Sequence, residues 1–152
     1  MSETTLQALS VTEQSTISEA LLRLIGEYED FPSEISTKDI FWNFLKPNRS
    51  IGIFSMPGAV YLRRYVSGSF RAQFPFSVRY TTKPTNNKSR IEKQSVLDEL
   101  GEWLESVTYP ALSDNRTIDK IERTASSQLI GVDADGNELY QCNMVLTYSK
   151  FN

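Results

Sequence analysis

The longest regular pattern in the chain lies between residues 70 and 80. The even positions Phe70, Ala72, Phe74, Phe76, Val78 and Tyr80 are apolar or aromatic. The odd positions Arg71, Gln73, Pro75, Ser77 and Arg79 carry none of the usual core types. A period of two over that length predicts a long strand with one buried and one wet face. Burying the large side chains contributes roughly 1.5–3 kcal/mol each, on the order of 10 kcal/mol together before chain entropy is charged. Pro75 has no N–H to give to a ladder, which predicts solvent, a bulge or a sheet edge on that side. The strand is therefore expected to form an edge as well as a core.

Taken in order, residues 1–11 show no period and are expected to form a mobile arm or the lead-in to a helix. Ile17, Ala20, Leu21, Leu24, Ile25 and Tyr28 then step by threes and fours, the stripe of an amphipathic helix. Thr16 with Glu19 reads as its capping box, Thr12 offers a second start, and the end is expected near Glu29, before Phe31-Pro32. Residues 40–45 are strongly apolar but too few to show a period, so a strand and a short covering helix both fit. Residues 51–54 predict a short strand, Met56-Pro57-Gly58 a turn, and residues 59–66 a returning strand. Its alternation sets Tyr61, Arg63 and Tyr65 on one face, with Val60, Leu62, Arg64 and Val66 on the other. With Ser67-Gly68-Ser69 turning into the long strand, the three predict an antiparallel meander.

A second helix is expected to start at Ser89, with Glu92 three residues on, and to end before Pro110. Its stripe is Ile91, Val96 or Leu97, Leu100, Trp103, Leu104 and Val107. Residues 118–125 and 128–132 predict short strands, and residues 133–137 a hairpin turn. The last strand, residues 139–149, buries Tyr140, Cys142, Met144, Leu146 and Tyr148. Two striped helices have one place to go, a single face of the sheet. The expected class is α+β: one domain, residues 1–152, with a single antiparallel or mixed β-sheet and two amphipathic helices packed on one face.

Composition narrows the picture. A chain of 152 residues with 39% hydrophobic and 11% aromatic content fits one domain of the soluble globular class. A net charge of −3 argues against a general nucleic-acid binder and a polybasic membrane anchor. The polar start, Ser2, Glu3, Thr4 and Thr5, lacks the regions of a signal peptide, and no apolar run is long enough to span a bilayer. The charge is uneven, however. Residues 60–93 carry 8 basic side chains and 1 acidic, whereas residues 1–59 carry 4 and 8, and residues 94–152 carry 4 and 10. Such a basic middle can attract nucleic acid, or can set one subunit's middle against a neighbour's flank.

Candidate chemistry is sparse. With no His and one Cys, Cys–His and Ser–His nucleophiles, Cys/His zinc sites and an internal disulfide are all impossible within one chain. Cys142 falls at an inward strand position and reads as a small buried hydrophobe. Asp133-Ala134-Asp135-Gly136-Asn137 has part of a calcium loop's composition with the wrong spacing, and reads first as a hairpin turn. Asp98, Glu99, Glu102 and Glu105 could furnish an acid–base pair, but fit a solvated helix face. No catalytic, cofactor-binding or metal residue is assigned, and no enzyme is expected. Tyr61, Arg63 and Tyr65 with Arg71 and Arg79 remain. They fit the basic-aromatic pattern of a single-strand-binding sheet, an ordinary solvent face, or a protein–protein surface.

One resemblance bears on that choice. Phe74-Pro75-Phe76-Ser77-Val78-Arg79-Tyr80, a polar loop, then Arg90-Ile91-Glu92 through Leu97, Leu100 and Trp103-Leu104-Glu105 resembles the minor capsid proteins of long-tailed phages of Gram-positive bacteria. The closing hairpin, Asp135-Gly136, Tyr140 and Leu146-Thr147-Tyr148, fits the same pattern, and the match spans roughly residues 15–150. Residues 40–45 depart from it. Such proteins are similar in role and topology to siphophage tail terminators. The resemblance implies a virion subunit of the tail or head–tail junction, assembled in the host cytoplasm without a cofactor. It implies a ring, typically hexameric, that caps the tail tube and docks it to the head connector. The implied partners are further copies of the chain, the tail tube protein and a head-completion or connector protein, with no membrane and no sequence-specific nucleic acid. On this reading Tyr61, Arg63, Tyr65, Arg71 and Arg79 are candidate subunit-interface residues. A strand edge near Pro75 or within residues 51–66 is expected to pair across subunits. The alternative is a small nucleic-acid-binding module using the same Tyr/Arg face.

Overall fold

A computed structural model describes residues 6–152. Two long strands form its spine, β4 (Phe70–Thr82) and β7 (Glu138–Lys150). They pair antiparallel over their whole length, Phe70 opposite Lys150 and Thr82 opposite Glu138. Two shorter strands lie end to end along the outer side of each. β2 (Ser50–Ser55) and β3 (Val60–Arg64) border β4; β5 (Arg116–Arg123) and β6 (Gln128–Val132) border β7. β1 (Ile40–Trp42) adds to β2 in parallel and makes the seven-stranded sheet mixed. Helices α1 (Val11–Gly26) and α2 (Asn87–Ser106) cover one face. This is the α+β architecture that the alternation and the two stripes predict.

The period-two reading of β4 and β7 holds for the inward positions, but the opposite face is not wet throughout, since Ser77 and Thr147 are buried on it. Phe70, Ala72, Phe74, Phe76, Val78 and Tyr80 are buried, and so are Tyr140, Cys142, Met144, Leu146 and Tyr148. They meet Ile17, Leu21, Leu24 and Ile25 of α1 and Leu97, Leu100 and Leu104 of α2 in one core. The helices start earlier than their predicted boxes. α1 is capped by the Ser10 hydroxyl, which accepts from the Glu13 N–H at 3.2 Å, and α2 by Asn86, whose side chain accepts from the Ser89 N–H at 2.8 Å. Ile91 does not join the stripe; it is 70% exposed in the first turn of α2. Residues 1–5 of the expected arm lie outside the described residues. Beyond them, Leu9 is buried, and the Leu9 N–H donates to the Ala59 carbonyl while the Tyr61 N–H donates to that of Gln7.

The predicted meander needs correction. β2 and β3 both run antiparallel to β4, so they point the same way, and residues 56–59 form a step between collinear strands rather than a reversal. Pro75 explains the step. Its missing N–H falls where β2 has ended and β3 has not begun, while its carbonyl accepts from the Met56 N–H at 3.2 Å. Gly58, at φ +105°, lets the chain cross directly over the proline ring. β4 is thus a central strand with one gap in one ladder. The edges expected to pair across subunits are occupied: β1 covers β2, and residues 7–9 cover β3.

Candidate functional site

The face of the sheet opposite the helices displays the odd positions of β4 and β7. Arg71, Gln73, Pro75, Ser77 and Arg79 lie beside Ser149, Thr147, Val145, Asn143 and Gln141 in the pairing register. Arg63, Arg71 and Arg79 share this face. Arg63 sits directly opposite Arg71, a like-charge pair that would repel. Each guanidinium has another neighbour to relieve it: Arg63 lies 5.8 Å from the Tyr65 ring centroid, and Arg71 is 3.8 Å from Asp119. Asp119 is held in turn by the Ser149 hydroxyl, which donates at 2.6 Å. Arg79 lies over the Phe54 ring at 4.4 Å and donates from Nε to Gln141 at 2.7 Å; Gln141 then donates to Asn143 at 3.0 Å. Arg79 is eight residues from Arg71, about 27 Å along an extended strand. The arginines line one face without forming one cluster.

Tyr61 is a correction. It is buried on the helix side, edge-on to Phe70, with its hydroxyl accepting from the Ser10 N–H at 3.3 Å. The reason is a β-bulge: the register shifts between Tyr61 and Arg63, so Tyr61 opposes Ala72, Arg63 opposes Arg71 and Arg64 opposes Phe70. Leu62 is the extra residue, and strict alternation fails across it. Tyr65 is 51% exposed beyond the end of β3. The basic-aromatic platform predicted for residues 61–65 therefore presents one tyrosine, already stacked with Arg63. Beside Arg71 a shallow groove of about 380 Å³ runs over Leu62, Gln73, Lys120, Glu122, Val145 and Thr147.

Three polar clusters on the helix side escaped sequence reasoning. Arg116 donates bidentately to Glu13 at 2.6 and 2.9 Å, and the Tyr148 hydroxyl donates to the same carboxylate at 3.0 Å. All three are buried, and they clamp the first turn of α1 to β5 and β7. Burial alone would raise the Glu13 carboxyl, but the bonds from Arg116 and Tyr148 outweigh it and hold it below its ordinary value. Arg123 passes under α2 and meets Glu105 at 2.8 Å, Asp98 at 3.3 Å and Glu102 at 4.0 Å. Three of the four carboxylates considered for acid–base chemistry are thus partners of one arginine. Glu34 accepts from Lys93 at 2.7 Å, from Thr82 at 2.9 Å and from the Tyr80 hydroxyl, which ties the segment after α1 to the sheet and α2. Nothing local in the sequence marks these distant partners.

The remaining candidates are structural. Cys142 is buried, its thiol pushed up to about 12 by burial first and by Asp98 second. Asp133 spends its carboxylate inside the turn, accepting from the N–H groups of Asp135 and Asn137 and from the Asn137 side chain. Among the described residues no group of three or more His, Cys, Asp or Glu side chains is placed to hold a metal ion.

The helix layer carries an acidic cluster. The exposed carboxylates Glu27, Glu29, Asp30, Glu99 and Glu102 gather where α1 ends beside α2. Burial raises the Tyr28 phenol there, and Asp30, Glu99 and Glu102 raise it further. No known family model and no curated protein matches this chain.

Proposed function

We propose that the chain is a structural subunit of the kind the phage resemblance implies, a tail-terminator or head–tail joining protein that forms a ring, typically of six, between a tail tube and a head connector. The observation that carries this reading is the unlike character of the two layers. A ring that joins two different structures needs two different surfaces. This subunit has an arginine-bearing sheet face, with Arg63, Arg71 and Arg79 held in place, and a helix layer with an acidic cluster around Tyr28. Surfaces of opposite sign favour stacking in one sense and oppose the reverse. The arginine face is the contact with another subunit of the particle.

Light scattering with negative-stain microscopy tests the reading. The expected result is rings, at high protein concentration or on the ends of tail tubes; a strict monomer that neither closes rings nor caps tubes overturns it. Reversing both Arg63 and Arg71 to Glu should weaken capping and leave thermal melting unchanged. Among the described residues, the one ion pair lost is the exposed one between Arg71 and Asp119, worth about 0–1 kcal/mol. Undiminished capping by that variant would remove the arginine face from the contact.

A further inference from the structure

β6 is a short edge strand, bulged between Leu129 and Gly131, with no charge and no proline to blunt it. Its Leu129, Ile130 and Val132 side chains are exposed, and residues 124–132 contain no charged residue and no proline. Among the described residues only β7 pairs with it, which leaves its outer backbone groups open. An uncharged apolar edge of this kind is a template for another strand.

The far side of the sheet carries the matching element. Among the described residues β1, with Ile40, Phe41 and Trp42, pairs only with β2. The register places the two edges at one level, because Ile40 opposes Ile51, Ile51 opposes Tyr80, Tyr80 opposes Tyr140 and Tyr140 opposes Leu129. Five strands thus form one continuous row ending in two unlike apolar edges. Strand sense also matches. β1 and β2 run against β4, β7 runs against β4, and β6 runs against β7, so β6 and β1 point opposite ways. A copy set beside the first in the same orientation would present β1 antiparallel to β6.

We propose that β6 of one copy pairs with β1 of the next, so that the ring is closed by a hydrogen-bonded strand junction and the two faces stay free for tube and connector. This rests on the ring reading and adds to it the edge that makes the ring. The contact is heterologous, since the two edges differ, and so propagates from copy to copy.

The test uses the full chain with Ile40→Cys and Leu129→Cys, two positions on the same row. Cys142 is buried with a raised thiol, so it leaves the background quiet. Mild oxidation of the double variant should give a ladder of covalent multimers extending past the dimer, and neither single variant should crosslink. Efficient dimers from Leu129→Cys alone would show a symmetric β6–β6 contact and overturn the proposal. A second variant, Ile130→Lys, puts a charge on the edge and should weaken ring formation by at least about tenfold with melting unchanged. Intact rings with Ile130→Lys and no ladder from the double variant would reject this junction while leaving the ring reading standing. A wild-type chain that forms no assembly rejects both.

Discussion

At the scale of single residues, the ion pair between Glu13 and Arg116 is the costliest contact to break. Both side chains are buried, and without Glu13 the buried guanidinium keeps only the longer 3.5 Å contact to the exposed Asp114 among the described residues. Glu13→Gln is expected to destabilise the fold by about 3–5 kcal/mol in chemical denaturation. The pair also sets an acid limit. The folded state holds the Glu13 carboxyl below its ordinary value of 4.5, so the unfolded chain takes up that proton first as pH falls. The stabilisation is complete above pH 4.5 and is lost below it, as pH falls through the folded value. Glu13→Gln should flatten this limb of the stability–pH curve; an unchanged limb would locate the acid sensitivity elsewhere.

Gly101 is the other instructive residue. A glycine inside a helix ordinarily costs about 1 kcal/mol relative to alanine. Here an added Cβ would lie 2.5 Å from Arg123 Cδ and 2.8 Å from Cγ, so the arginine would lose its place among Glu105, Asp98 and Glu102. Gly101→Ala should therefore lower the melting temperature. The same change in an Arg123→Ala background should raise stability by up to about 1 kcal/mol, since only the helix preference then remains. Stabilisation in both backgrounds would show that the arginine moves aside freely.

At the scale of elements, the long regular segments were legible and the interrupted ones were not. β4, β7 and the α1 stripe each repeat one period often enough for the core face to be read directly, from Phe70 to Tyr80 and from Ile17 to Tyr28. β3 defeats the same reading because one extra residue, Leu62, reverses the parity after it. Deleting Leu62 should be tolerated: Tyr61 still faces Ala72, and Arg63 and Arg64 keep their sides in a ladder that is now regular. Circular dichroism and melting should show a retained fold within a few degrees. A collapse of the fold would mean that the bulge sets the twist of this edge. The helix starts were misread for a different reason. Ser10 and Asn86 lie outside the apolar stripes, and a box inside the helix, such as Thr16 with Glu19, satisfies the same pattern as one at its end.

At the scale of the molecule, the arrangement divides the surface by role. One face is covered by helices and carries the acidic cluster around Tyr28; the other has no helix packed on it and carries the arginines. The short strands decide the edges. β1 covers β2 and residues 7–9 cover β3, which moves the outer edge on that side to β1, and β6 forms the edge on the other side. On the proposed reading, capping of tubes by the arginine face and closure of rings by β6 and β1 fall to separate surfaces. The variants at Arg63 and Arg71 and the variant at Ile130 should accordingly separate: the first lose docking and keep rings, the second loses rings.

What the chain determined by itself was its periodic content: the class, the number of helices, the two long strands and their buried residues. Local patterning sets these, because a side chain's face follows from its neighbours at fixed steps. What only the tertiary structure decided was partnership. The burial of Tyr61, the collinearity of β2 and β3 about Pro75, the pairing of Glu13 with Arg116 and the free edge of β6 all join residues far apart in sequence. No local period encodes a distant partner, and it is from these partnerships that the surfaces proposed for assembly arise.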